Sequence, residues 1–203
     1  MGVLPSHSPI KGDPPHDEGG DAELVARARR GDAGALSLLY RRHVDGVYDF
    51  AARRLGQRED AEDATQTVFL RVAQSLHHCR SDDAFTGWLF AIARNVVTDM
   101  LRSRRTRTMS LDEEPEIEDP DPPPDDVVVR SAQGSELRMA RAHCLNETER
   151  ELYDLLVQDL TYAEIATVLG RRVGAVRTRC WRLLDKLRSC MGLLPKGGRH
   201  ALQ

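Results

Sequence analysis

Aromatic side chains are scarce in this 203-residue chain: Phe, Trp and Tyr together make up 5% of it. With 40% hydrophobic residues, any core must be mostly Leu, Val and Ala, which favours packed helices over a β-sandwich. No apolar run is long enough to span a bilayer, and the N-terminus lacks the apolar centre of a secretory signal. The four cysteines, Cys79, Cys144, Cys180 and Cys190, are widely spaced, with no C-x-x-C pair. That pattern predicts free thiols in a reduced, cytoplasmic protein. His77, His78 and Cys79 diverge if helical, as do His143 and Cys144, and neither group has metal-ligand spacing. No phosphate loop, nucleophile elbow or convergent pair of carboxylates occurs, so the expectation is a non-enzyme with no cofactor and no metal.

A net charge of −3 argues at first against a polyanionic partner. The distribution reverses that argument. Residues 21–110 carry a net charge of +3 and residues 127–203 a net charge of +5, while residues 111–126 hold nine acids and no base. Two basic, folded-looking parts therefore flank an acidic strip that masks them in the sum. Five prolines among those acids exclude a helix or a packed core there, so the segment reads as an extended linker, bounded at 108–125. The Pro- and Gly-rich residues 1–20 and the tail 192–203 read as disordered. The expected architecture is all-α: a helical domain at 21–107 and a second at 126–191.

Within the first domain, Asp21 is a candidate cap for a short helix that stops at Gly31. Asp32 is a candidate cap for the next, which runs to about Leu55 with Leu36, Leu39, Tyr40, Val44, Val47, Ala51 and Leu55 at helical spacing. A third helix is expected over 59–78. Its first turns are crowded with Glu59, Asp60, Glu62 and Asp63, as the helix dipole favours, and Val68, Phe69, Val72 and Leu76 form its buried side. A fourth carries Phe85, Trp88, Leu89, Ile92, Val96 and Met100 in one stripe. Arg94, Asn95, Arg102, Arg104, Arg105 and Arg107 lie off that stripe or beyond its end, at a density that points to a polyanion.

The second domain is expected to open with a helix from about Asp126, followed by a capping box formed by Asn146 and Glu149. Its most informative stretch is 160–188. Thr161 and Glu164 form another capping box, Ile165, Ala166, Val168 and Leu169 an apolar face, and Gly170 a left-handed stop. The next pattern places Val173, Val176, Cys180, Leu183, Leu184 and Leu187 on one side and Arg172, Arg177, Thr178, Arg179, Arg182 and Lys186 on the other. The same pattern would fit a basic, solvated helix in an ordinary bundle. The coincidence of cap, turn glycine and basic face favours a helix-turn-helix whose second helix enters the DNA major groove.

Four stretches in this order resemble the extracytoplasmic-function group of bacterial sigma factors. They are AELVARARRGDAGALSLLYRRH, DAEDATQTVFLRV, FTGWLFAIARNVVTDMLR and LTYAEIATVLGRRVGAVRTRCWRLLDKLR. The resemblance implies two helical domains that hold core RNA polymerase, through its largest and second-largest subunits, and read promoter DNA, with an anti-sigma factor as a further candidate partner. Asp60, Asp63, Gln66 and Phe69 match the surface that grips the polymerase, though Thr67 stands where the family usually has Glu. Trp88, Arg94, Asn95 and Arg102 match the segment that reads and melts the minus-ten element, Asn95 taking the place of the residue that receives an unstacked base. Trp88 sits on the apolar stripe and fits the core better than a stacking role. Arg177, Thr178, Trp181 and Arg182 match the minus-thirty-five contacts. Arg171 and Arg172 replace the family's usual Ile-Ser, so a helix cap is lost and two cations are gained. The competing expectation is a helix-turn-helix regulator with an N-terminal sensing or dimerisation domain, which would have no need of residues 59–107.

Overall fold

A computed structural model describes residues 19–79, 84–109 and 139–191, and among these the regular elements are all helical. The tail at 1–18, the linker from 110 and the expected helix start near Asp126 lie outside the described residues. Helix α1 spans Asp21–Arg29, α2 Ala33–Leu55, α3 Arg58–Ser75 and α4 Phe85–Met109. A helical segment at 139–144, α5, leads to α6, Glu147–Leu156, α7, Tyr162–Leu169, and α8, Val173–Cys190.

Local chemistry accounts for most helix ends. The Asp32 carboxylate accepts from the Gly34 and Ala35 amides at 2.9 and 3.1 Å and starts α2. Asn146 and Glu149 satisfy each other's amides at the start of α6, at 3.0 and 2.9 Å, and Thr161 and Glu164 do so at the start of α7. Gly170 closes α7 with a φ of 60°, which its missing Cβ makes inexpensive. Asp21 does not cap α1; Gly20 holds that position. The Asp21 carboxylate instead bonds His43 at 2.5 Å and Arg42 at 3.0 Å on α2. These bonds, His43's first, hold it below the usual carboxylate range and tie α1 to α2. The third helix is shorter than the sequence pattern predicts, because residues 76–78 tighten into a 3₁₀ turn.

In the N-terminal unit, α3 packs along α2 with Ala61, Ala64, Val68 and Val72 inward, and α4 lies across both. Periodicity places Tyr40 in this core, yet Tyr40 is 46% exposed and Phe50 is buried in its stead. The inward line of α2 runs through Leu39, Val47, Phe50 and Ala51, which leaves Tyr40 one step around the helix. The buried face of α4 is wider than the expected stripe. Phe90, Ala93 and Val97 join Phe85, Leu89 and Val96, while Trp88, Ile92 and Met100 are half-buried. The reason is that α4 is covered twice, by α2 and α3 and by α7.

The C-terminal unit is built on Leu152, Leu155, Ile165, Val168, Val176, Cys180, Leu183 and Leu187. Val173 and Leu184, expected on the core side of α8, are 40% and 38% exposed. The expectation of four free thiols is also overturned. Cys144 and Cys190 form a disulfide across 46 residues of sequence, while Cys79 and Cys180 are buried thiols. Helix α8 returns its end to α5, a proximity that spacing along the chain does not reveal.

The two units pack on each other. Arg94 of α4 forks onto Glu151 of α6 at 2.8 and 3.4 Å, and Arg54 of α2 pairs with Glu147 at 2.6 Å. Arg141 of α5 grips the fully buried Asp154 at 2.9 and 2.7 Å and donates to the Arg53 carbonyl of α2 at 3.0 Å. Two glycines sit at this seam. A Cβ on Gly87 would lie 3.3 Å from Glu164 Cα, and one on Gly46 3.1 Å from Gln158 Oε1. Gly46 weakens α2 by about 1 kcal/mol relative to Ala, and a Cβ there would press on the Gln158 side chain.

Candidate nucleic-acid and polymerase interface

Three surfaces carry the residues singled out in the sequence. The first is the outer side of α3. Asp63 and Gln66 are exposed and Asp60 and Phe69 partly so, spaced by three along the helix. Phe69 stacks edge-on against Tyr40 of α2 with ring centroids 4.7 Å apart, and Leu70 beside it is 60% exposed. The result is an apolar knob rimmed by acids. Tyr40 and Leu70 were not legible as parts of it. Tyr40 fitted the core periodicity of α2, and Leu70 gave no signal beyond being apolar next to Phe69.

The second surface is α4. Trp88, Asn95 and Arg102 are spaced by seven, which places them near one line along a helix. Asn95 and Arg102 are exposed on it, while Trp88 is half-buried against Phe85, with ring centroids 6.2 Å apart. Arg94 turns the other way. Its guanidinium is engaged by Glu151, so the structure separates it from Asn95 and Arg102. In this arrangement Arg94 fastens the units together through Glu151.

The third surface is the outward side of α8 with the turn before it. Arg171, Arg172, Arg177, Thr178, Trp181 and Arg182 are all exposed, and Trp181 is 65% exposed. Arg172 occupies the N-cap position of α8 with no side-chain cap bond, as expected for a chain lacking the usual serine. The Thr178 hydroxyl donates to the Gly174 carbonyl at 3.0 Å and keeps its lone pairs available. Exposed arginines flanking an exposed indole give charge for phosphates, forks for base edges and an aromatic face. Among the described residues, no helix is long and apolar enough to cross a membrane.

Comparison with known proteins places the chain in a family. Residues 39–107 match the family model of sigma-70 region 2, and residues 139–187 that of sigma-70 region 4. The chain is 36% identical over 152 residues to the ECF RNA polymerase sigma factor SigE of Mycolicibacterium smegmatis, covering 74% of this chain and 59% of that relative. It is 31% identical over 183 residues to the ECF RNA polymerase sigma factor SigM of Mycobacterium tuberculosis, covering 89% of each. Among solved structures it resembles CnrH in complex with the cytosolic domain of CnrY, with 28% identity, a TM-score of 0.60, and coverage of 86% of this chain and 99% of that one.

Proposed function

The chain belongs to the extracytoplasmic-function sigma factors of the sigma-70 family, and we propose that it directs core RNA polymerase to a specific set of promoters in the cytoplasm. It has no catalytic chemistry of its own. The observation that carries this reading is the order of two sigma regions in one chain, the second ending in a basic, exposed α8. A sensing or dimerisation domain in front of a helix-turn-helix would not match sigma region 2 over 39–107.

In this mechanism the α3 knob and its acids dock on the polymerase, with Tyr40 and Leu70 supplying apolar contact beside Asp60, Asp63, Gln66 and Phe69. Residues Arg171, Arg172, Arg177, Thr178, Trp181 and Arg182 contact the upstream promoter element. Asn95, with Arg102 two turns away, receives the opened strand. Arg94 joins them only after its guanidinium leaves Glu151. A protein regulator of the anti-sigma kind is a further partner, in keeping with CnrH being solved with the cytosolic domain of CnrY.

Run-off transcription on genomic fragments, with core polymerase and with or without this protein, tests the assignment. Discrete transcripts are expected only when the protein is present. Failure to co-purify with core enzyme, or to stimulate any promoter, would sink it. A second expectation concerns α8. Arg177→Ala and Arg182→Ala should each weaken binding to the upstream element. A base-reading arginine would cost about 1–3 kcal/mol and relax one base pair. A phosphate-binding one would lower the salt slope by about one without changing sequence preference. Wild-type affinity across a salt titration would show that these side chains do not meet DNA.

A further inference from the structure

The four cysteines fall into two classes. Cys79 and Cys180 are buried, and burial pushes the Cys180 thiol up, away from its reactive thiolate form. Cys190 is exposed and Cys144 is half-buried, so their shared bond is within reach of thiols in solution. We propose that Cys144 and Cys190 form a reversible thiol–disulfide site, open to low-molecular-weight disulfides and thiols, that staples or releases the end of α8.

The position of the bond gives it leverage. It joins the last residue of α8 to the last turn of α5, and the 46-residue separation encloses α6, α7 and nearly all of α8. A cross-link of that span restricts the unfolded chain of the whole C-terminal unit. Among the described residues, the end of α8 is otherwise held by a few apolar contacts, Met191 included, and one exposed ion pair. Leu183 and Leu187 pack inward, but the Lys186–Glu149 pair at 2.6 Å is 42% and 28% exposed, and such pairs contribute little. A bridge that solvent can reach, in a protein that works where thiols are kept reduced, is placed to respond to oxidant and does not suit a permanent staple.

The exchange is balanced. The Cys190 thiolate attacks one sulfur of a small disulfide and expels one thiolate, leaving a mixed disulfide. The Cys144 thiolate then attacks the Cys190 sulfur and expels the second. Two protein thiols are oxidised, one small disulfide is reduced to two thiols, and the two protein protons pass to the released thiolates. Excess small thiol reverses both steps.

The test uses the full chain equilibrated over a series of oxidised-to-reduced glutathione ratios, then alkylated and mapped by peptide mass. Hydrogen exchange of α8 is measured at both extremes. The expected result is a cross-linked Cys144–Cys190 peptide that grows with oxidant and disappears with thiol. Amides of α8 that exchange through unfolding of the C-terminal unit should slow on the order of a hundred-fold when bridged. Cys144→Ser and Cys190→Ser, made singly at accessible positions, should each abolish the difference. The proposal is overturned by a bridge that never forms, by one that excess glutathione never opens, by pairing through Cys79 or Cys180, or by equal exchange in both states. None of these readouts depends on promoter binding, so failure here leaves the sigma-factor assignment standing.

Discussion

Arg141→Ala is expected to destabilise the protein by about 3–5 kcal/mol, because it strands a carboxylate in the interior. Asp154 has no solvent exposure, and Arg141 supplies both of its hydrogen bonds among the described residues. Burial already pushes Asp154 above its ordinary value of 3.8, with Arg141 opposing the shift. A carboxyl whose folded pKa is raised contributes stability that is fully present below its unfolded pKa and lost as pH rises through the folded value. Without Arg141 the folded value climbs further, so the penalty is largest at neutral pH. The deficit should narrow as pH falls toward 4 and the buried acid takes up a proton. Urea melts of wild type and variant at pH 7 and near pH 4.5 check both parts. A loss under 1 kcal/mol at pH 7, or a gap that widens with acid, would show that Asp154 is held by something other than this pair.

Asn95→Ala should leave the initial duplex complex intact and impair strand opening by roughly ten- to a hundred-fold, since holding a base outside the stack offsets an unstacking cost of a few kcal/mol. Asn95 is exposed on α4, and its carboxamide offers both a donor and an acceptor to a base edge. Permanganate reactivity of unpaired thymines reports opening, and band-shift affinity reports the initial complex. Normal opening by the variant would remove Asn95 as the base receptor. Equal losses in both measurements would make it an ordinary DNA contact.

The features legible in the sequence are those decided within a few residues. Asp32, the Asn146–Glu149 and Thr161–Glu164 boxes and the left-handed Gly170 all cap as their spacing predicts, because donor and acceptor lie on one turn. Features decided by the approach of distant helices were hidden. Periodicity cannot say whether Tyr40 or Phe50 faces the core of α2, nor that Leu184 faces out. A cation on α4 looks the same in sequence whether DNA or an acid 57 residues away receives it, and Arg94 is held by Glu151. The same holds for the disulfide, since cysteine spacing carries no record of where α8 ends in space.

Gly87 has a consequence for how the protein sets its threshold. The first turn of α7 rests against it, with Glu164 Cα at 3.3 Å from where a Cβ would stand. That contact keeps part of α4 under the C-terminal unit. A ligand of the covered face binds only the fraction of molecules in which the units have parted, and its apparent dissociation constant is the intrinsic one divided by that fraction. All ligands selective for the parted state share the same divisor. A methyl group at position 87 would press on Glu164, loosen the packed arrangement, and tighten the apparent binding of every such ligand that does not itself touch position 87 by one common factor.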